Sequence, residues 1–197
     1  MKVLDTTALS VLFVPGAPLC RKGTTIPIKH AKERLELLIE RIVKNREQII
    51  IPTPALSELL VKVPPDMVTP LLDQLNSSTW FRIEAFDSAC AIELGLRIAK
   101  ARATGDKREG LPIETPWAKV KFDRQIVAIA IVSGASEIIS DDPDVKTIGE
   151  RWGVKVISIE DLEIPPELIP PPLLAPLEDA PTVKGTEMGT EAQKIKE

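Results

Sequence analysis

The sequence predicts an α/β protein with a central, mostly parallel sheet flanked by helices on both faces, an α/β/α sandwich. Residues 119–162 follow the order helix, strand, helix, strand, which implies parallel pairing through right-handed crossovers. The apolar run Lys2–Leu4 lies so close to the N-terminus that we expect it in the centre of the sheet. A length of 197 residues is enough for one domain with a sizeable core.

The overall composition is that of an ordinary globular protein, with 44% hydrophobic and 27% charged residues. The net charge of −4 gives no general attraction to nucleic acid, so a polyanion would need a local basic patch or bound cations. Two cysteines far apart, Cys20 and Cys90, form neither a disulfide framework nor a zinc site, which predicts a reducing, cytoplasmic location. The sequence shows no membrane-length apolar run, and its first residues do not resemble a signal peptide.

Proline content changes along the chain and predicts a domain boundary near Leu162. The chain has 18 prolines, and they are concentrated after Ile164. We therefore predict one domain over residues 1–162 and a proline-rich, extended or disordered tail over residues 163–197.

The first half of the domain alternates short apolar runs with helical patterns. A strand at residues 2–4 precedes a short helix at 8–14, and a long loop follows at 15–28. The remaining predicted elements of this half are a helix at 28–44, a strand at 48–51, and helices at 53–61 and 66–75.

The second half contains the clearest start and stop signals. Alternation predicts a strand at 80–86, and Asp87 begins a helix that continues to about Ala103. An irregular segment at 104–118 leads to a helix that we expect to be capped by Asp123 and to end at Gly134. The last predicted elements are a strand at 138–139, a helix from the Asp142–Pro143 pair to Gly153, and a strand at 154–159.

Four acids fall at equivalent places in this pattern: one after the first strand, one early in the helix after the second strand, one at a helix start and one after the fourth strand. They are Asp5, Glu58, Asp123 and Asp142. The carboxyl ends of parallel strands meet at one edge, so we expect the four side chains to share one crevice. Two like charges about 4 Å apart repel by about 4 kcal/mol at an effective dielectric of about 20, so the cluster must raise its pKa values or bind cations. Oxygen-only ligands favour Mg²⁺ or Mn²⁺.

Alternatives remain open for several of these residues. Asp123 and Asp142 could be helix caps alone, and Glu58 could be a solvated helix residue. Trp117 could stack on a base or simply pack, and strand alternation predicts that Asp141 faces solvent. Basic residues beside Asp123 could bind RNA phosphates or be ordinary surface charge; they are Lys119, Lys121 and Arg124.

The chain resembles the PIN-domain nucleases, and most closely the VapC-like toxins of toxin–antitoxin pairs. The matching motifs are Val3-Leu-Asp-Thr-Thr7, Pro54-Ala-Leu-Ser-Glu58-Leu, Asp123-Arg-Gln-Ile-Val-Ala-Ile-Ala130, Ile138-Ile-Ser-Asp-Asp142-Pro-Asp144-Val and Gly153-Val-Lys-Val-Ile157. The likeness covers about residues 1–162. Relative to compact members, residues 15–28 and 104–118 are longer and the proline-rich tail is additional.

The resemblance implies a metal-dependent endoribonuclease in which the four acids ligate Mg²⁺ or Mn²⁺ and activate water. Asp144 corresponds to an extra acid that many relatives carry, and Thr6 and Ser140 to hydroxyls that steady the acids or the ions. The resemblance also implies an antitoxin partner and a homodimer.

Other functions remain open: a non-catalytic PIN-like module that binds RNA or protein, and a solitary RNA-processing nuclease. An aspartate-nucleophile phosphatase is disfavoured because Thr7 occupies the place of its usual second acid.

Overall fold

The computed structural model describes residues 1–16, 19–21 and 24–169. Most of the predicted tail therefore lies outside the described residues. Its first part, residues 163–169, contains a short 3-10 helix at Pro166–Leu168. The boundary between domain and tail near Leu162 stays a prediction.

The described residues contain a five-stranded sheet in which every pairing is parallel. The strands are β1 (Lys2–Leu4), β2 (Ile49–Pro52), β3 (Phe81–Glu84), β4 (Glu137–Ile139) and β5 (Lys155–Ile157). Their order across the sheet is β3-β2-β1-β4-β5, so β1 is central as predicted. Val3 pairs with Ile50 on one side and with Ile138 on the other, and all three are fully buried.

The helices connect the strands and cover the sheet. They are α1 (Thr6–Phe13), α2 (Ala31–Lys44), α3 (Thr53–Lys62), α4 (Pro65–Ser77), α5 (Ser88–Ala103), α6 (Trp117–Val132) and α7 (Pro143–Trp152). Right-handed crossovers in this strand order place α1 to α4 on one face and α5 to α7 on the other. The contacts agree, since α1 packs on α2 and α3 whereas α6 packs on α5 and α7. The predicted α/β/α sandwich is confirmed.

Strand β1 is the switch point of the sheet. The chain leaves it toward β2 and β3 on one side, and the later strands β4 and β5 lie on the other. A crevice opens outside the carboxyl ends of neighbouring strands where the winding direction reverses. The residues that follow β1 and β4 therefore face one crevice.

One helix begins earlier than the sequence pattern predicts. The prediction placed a helix start at Asp123, but α6 begins at Trp117, directly after Pro116. Pro116 has an extended ψ of 137° and supplies the break in helical backbone that the sequence analysis assigned to Asp123. Asp123 thus lies well inside α6, and its carboxylate does not cap that helix.

None of the helices in the described ranges is long and apolar enough to cross a membrane.

Candidate metal centre

Asp5 is fixed at the carboxyl end of the central strand by bonds to the neighbouring strand. Its backbone N–H donates to the carbonyl of Ile139 at 3.1 Å, and its side chain is buried. The Ser140 hydroxyl, which directly follows β4, donates to Asp5 Oδ2 at 2.6 Å. Ser140 Oγ also accepts from the Asp142 N–H at 3.0 Å, so one hydroxyl connects the residues that follow β1 and β4.

Three aspartates from α6 and α7 come together beside Asp5, and we call them the aspartate cluster: Asp123, Asp142 and Asp144. Each offers one carboxylate oxygen, and these three oxygens lie within 4.8 Å of one another. Asp123 and Asp144 are buried, whereas Asp142 is partly exposed. Asp142 Oδ1 accepts from the Asp144 N–H at 2.8 Å, so this residue caps α7 and also contributes its second oxygen to the cluster.

A lysine ammonium occupies the middle of the aspartate cluster. Lys119 Nζ lies 2.8 Å from Oδ2 of each of the three aspartates. Lys119 belongs to the first turn of α6, four residues before Asp123, and that spacing places the two side chains on one helix face. Its position beside Asp123 in the sequence suggested either an RNA-phosphate contact or ordinary surface charge, but the structure places its ammonium among the acids.

Glu58 lies on α3 and is exposed, at the rim of the crevice. Its carboxylate is not among the three clustered oxygens. It is nevertheless close enough for its charge to act on Asp5: burial raises the pKa of Asp5, the Ser140 hydrogen bond opposes this, and the charges of Asp142 and Glu58 add to the increase. The structure thus brings Asp5, Asp123 and Asp142 to one crevice, whereas Glu58 is exposed on α3 and outside the group of clustered oxygens.

Burial and neighbouring charges also shift the pKa of Asp123. Burial raises the pKa of Asp123 to about 7, Lys119 opposes the increase, and the negative charges of Asp142 and Asp5 add to it. For Lys119, burial lowers the pKa, but hydrogen bonds to the aspartate cluster outweigh it and raise the pKa above its ordinary value. The site therefore stabilises positive charge and disfavours negative charge, as expected for a cluster that needs a cation.

Hydroxyl groups line the same crevice. Thr6 Oγ1 is buried and has no hydrogen-bond partner within the described part of the chain. Thr115 Oγ1 lies 3.5 Å from Asp144 Oδ2, and Thr7 Oγ1 lies 3.4 Å from Asp5 Oδ2. Neither contact was predicted, because no local sequence pattern indicates that Thr115 or Thr7 lies beside an acid.

Arg124 does not occupy the position that an RNA contact requires. Its side chain is only 5% exposed, and its guanidinium lies 2.7 Å from the Glu109 carboxylate. Glu109 also accepts from the indole N–H of Trp152 at 2.8 Å, and Arg124 donates to the carbonyl of Lys107 at 2.7 Å. The prediction that Arg124 contacts an RNA phosphate is therefore corrected, because its side chain is buried. Arg124 instead anchors the segment before α6. Lys121, by contrast, is exposed on α6.

Asp141 also differs from its prediction. The sequence pattern placed it toward solvent, but it is half-buried and accepts hydrogen bonds from the Ser158 hydroxyl and from the Ile159 N–H. The chain turns after β4, so the strand alternation on which the prediction relied no longer applies. Asp141 joins β4 to the end of β5 rather than facing the aspartate cluster.

The donor set fits a divalent cation. The clustered ligand atoms are carboxylate oxygens, which suit hard ions such as Mg²⁺ and Mn²⁺. The Lys119 ammonium shows in addition that a cation is accommodated among these oxygens. The cluster could hold a metal ion through Asp123, Asp142 and Asp144, with Asp5 adjacent.

Comparison with known proteins gives a likeness in fold but not in sequence. No family model matches the chain, and no curated protein matches it. The fold is similar to the crystal structure of VapBC2 from Rickettsia felis bound to a DNA fragment from their promoter, with 17% identity, a TM-score of 0.50, and coverage of 80% of this chain and 97% of that chain. The structure of DNA-bound VapBC from Salmonella typhimurium matches with 16% identity, the same coverage and a TM-score of 0.48. The first likeness extends to the fold and agrees with the predicted α/β/α architecture.

Proposed function

We propose that this protein is a metal-dependent endoribonuclease that hydrolyses phosphodiester bonds of RNA, and that it is the toxin of a toxin–antitoxin pair. One observation carries the catalytic part: three carboxylates, two of them buried, surround the Lys119 ammonium at the switch point of a parallel sheet. Bringing them together costs electrostatic energy that a divalent ion would offset.

Each residue has a distinct part in this proposal. Asp123, Asp142 and Asp144 would hold the ion through the oxygens that now contact Lys119. Asp5, oriented by Ser140, would accept a proton from the attacking water or complete the ion's ligands. When bound, a divalent ion lowers the pKa of a bound water and neutralises charge that develops on the phosphoryl group.

Residues at the rim would meet the substrate. Glu58 is exposed beside the crevice and would add a ligand or orient water, and the exposed Lys121 would contact an RNA phosphate. Thr6 would support the same site, since its buried hydroxyl, which has no hydrogen-bond partner among the described residues, would be free to bind water or the ion.

The proposed partner is an antitoxin. The similar structure from Rickettsia felis is described as a VapBC2 assembly on promoter DNA, and the likeness covers 97% of that chain. We extend that arrangement to this protein as a proposal, together with a homodimer and a cytoplasmic location. Inspection of the adjacent reading frames for a small protein, followed by co-purification with it, would test the pairing, and the absence of such a neighbour would favour a solitary RNA-processing nuclease.

A non-catalytic module that binds RNA or protein is the second candidate. It shares the fold but gives no reason for three carboxylate oxygens within 4.8 Å of one another. Binding alone requires no such concentration of like charge beside a polyanion, because the cluster would repel phosphates. The acids therefore favour the nuclease.

The direct test is RNA cleavage by the purified chain with Mg²⁺, with Mn²⁺ and with EDTA. We expect cleavage only with a divalent ion, and a loss of at least about a hundredfold in Asp5→Asn and Asp142→Asn, in line with the usual contribution of acid–base and charged groups. The matched control is Asp73→Asn, which makes the same chemical change at an exposed position of α4 and should retain activity. Metal-dependent RNA binding without cleavage would instead identify the non-catalytic module.

A further inference from the structure

Lys119 uses the oxygens that an ion would need. Its ammonium lies 2.8 Å from one Oδ2 of each member of the aspartate cluster, and the three oxygens that could ligate an ion lie within 4.8 Å of one another. A divalent ion bound by these oxygens would occupy the space between them. The ammonium and the ion therefore exclude each other.

The Lys119 ammonium can move out of the aspartate cluster without a change in the backbone. The backbone of Lys119 is fixed in α6, but its side chain is 37% exposed, so one side of it already contacts solvent. The side chain is a flexible four-carbon stem with a compact charge at its end. A change of rotamer would carry the ammonium to the rim while Asp123, on the next turn, stays in place.

We propose that Lys119 is a positioning residue that holds the three carboxylates together in the absence of an ion and must withdraw before a divalent cation binds, so that it sets the affinity of the site for that cation. This inference rests on the proposed function, because it assumes that the aspartate cluster is a metal site.

The charges explain both halves of this role. One ammonium offsets only part of the negative charge of three carboxylates, so a divalent cation is the better counter-charge. The ammonium's hydrogen bonds to Asp123 and Asp144 and its ion pair with Asp142 must be broken when the ion enters, which lowers the apparent affinity for the ion. Without the ammonium, the carboxylates repel each other in the ion-free protein and bind an ion more readily.

The experiment measures Mn²⁺ affinity by isothermal titration calorimetry, together with the melting temperature in EDTA and in Mn²⁺. Lys119→Met keeps the length and the apolar stem but removes the charge. We expect it to bind Mn²⁺ roughly tenfold more tightly than wild type, to melt at a lower temperature in EDTA, and to gain more from Mn²⁺. Lys119→Gln removes the charge but keeps a hydrogen-bond donor, and serves if the methionine variant does not fold without the ion.

The matched control is Lys121→Met. Lys121 lies on the same helix and is exposed, so this variant has the same change in net charge without altering the contacts of the aspartate cluster. Its Mn²⁺ affinity should stay within roughly twofold of wild type, because exposed charges act weakly through solvent. A tightening in Lys119→Met that Lys121→Met does not share supports the inference.

Two results would overturn it in distinguishable ways. If wild type and both Lys119 variants bind Mn²⁺ equally, or the variants bind more weakly, Lys119 does not compete with the ion and the proposed function is unaffected. If none of the folded proteins binds Mn²⁺, the metal site itself is refuted, and the proposed function fails with it.

Discussion

Replacing Asp123 by asparagine should change how the stability of the metal-free protein depends on pH. Burial raises the pKa of Asp123 to about 7, against an ordinary value of 3.8. An acid whose pKa is higher in the folded state binds its proton more tightly there, so its ionisation opposes folding. The penalty is absent below about pH 4, grows as the pH rises toward 7, and is constant above that.

The magnitude follows from the size of the shift. A difference of about 3 pKa units corresponds to about 4 kcal/mol, since each unit is about 1.4 kcal/mol. Asparagine cannot ionise, so Asp123→Asn should gain up to about 4 kcal/mol in unfolding free energy relative to wild type between pH 4 and pH 8. The increase in the pKa of Asp5 has the same sign and persists in the variant, which leaves part of the wild-type dependence in place.

The assay is urea denaturation in EDTA at several pH values, with the free energy of unfolding compared between variant and wild type. The difference between the two proteins reports the ionisation of Asp123 together with its coupling to Lys119, Asp142 and Asp5, because the remaining titrating groups are common to both. Asp73→Asn, at an exposed site on α4, is the control and should show no such trend. A difference that is constant with pH, or that shrinks as the pH rises, would refute the proposed crowding at Asp123.

Two further predictions concern the packing that supports the site. Arg124→Met should lower the free energy of unfolding by about 3–5 kcal/mol, because it leaves Glu109 buried without its partner. The double variant with Glu109→Gln should lose less than the sum of the two single changes. Fully additive losses in denaturation would contradict the buried pair. Gly149→Ala should cost about 1–3 kcal/mol, because an added Cβ would lie 2.5 Å from Val156 Cγ2 and force α7 away from β5. Its melting temperature should fall and should partly recover when Val156→Ala is added, whereas an unchanged melting temperature would show that the contact is relieved in another way.

The sequence predicts the sheet and the meeting of the acids because both follow from local patterns. Short apolar strands alternate with capped helices, and parallel strands bring the residues that follow them to one edge. Asp5 comes directly after β1 and Asp142 comes three residues after β4, so their positions are largely determined once the topology is known. The same argument does not determine the position of Asp123. Its helix begins directly after Pro116, at a proline–tryptophan pair that is equally compatible with an irregular segment.

The sequence pattern did not predict which side chains contact one another. Spacing of four residues places Lys119 and Asp123 on one helix face, but it does not show that α7 adds two more carboxylates to the same ammonium. Arg124 was predicted to be a surface cation because its partner, Glu109, lies in an irregular segment. No sequence pattern indicates where that segment packs. Such long-range pairs depend on the packed structure, and local sequence does not specify them.

The most direct test of the metal site is anomalous X-ray diffraction from crystals soaked in Mn²⁺. We expect an anomalous peak among the carboxylates of Asp123, Asp142 and Asp144, with the Lys119 side chain turned toward the rim. Soaked crystals that show no peak there, with the Lys119 ammonium still bound between the three aspartates, would contradict it.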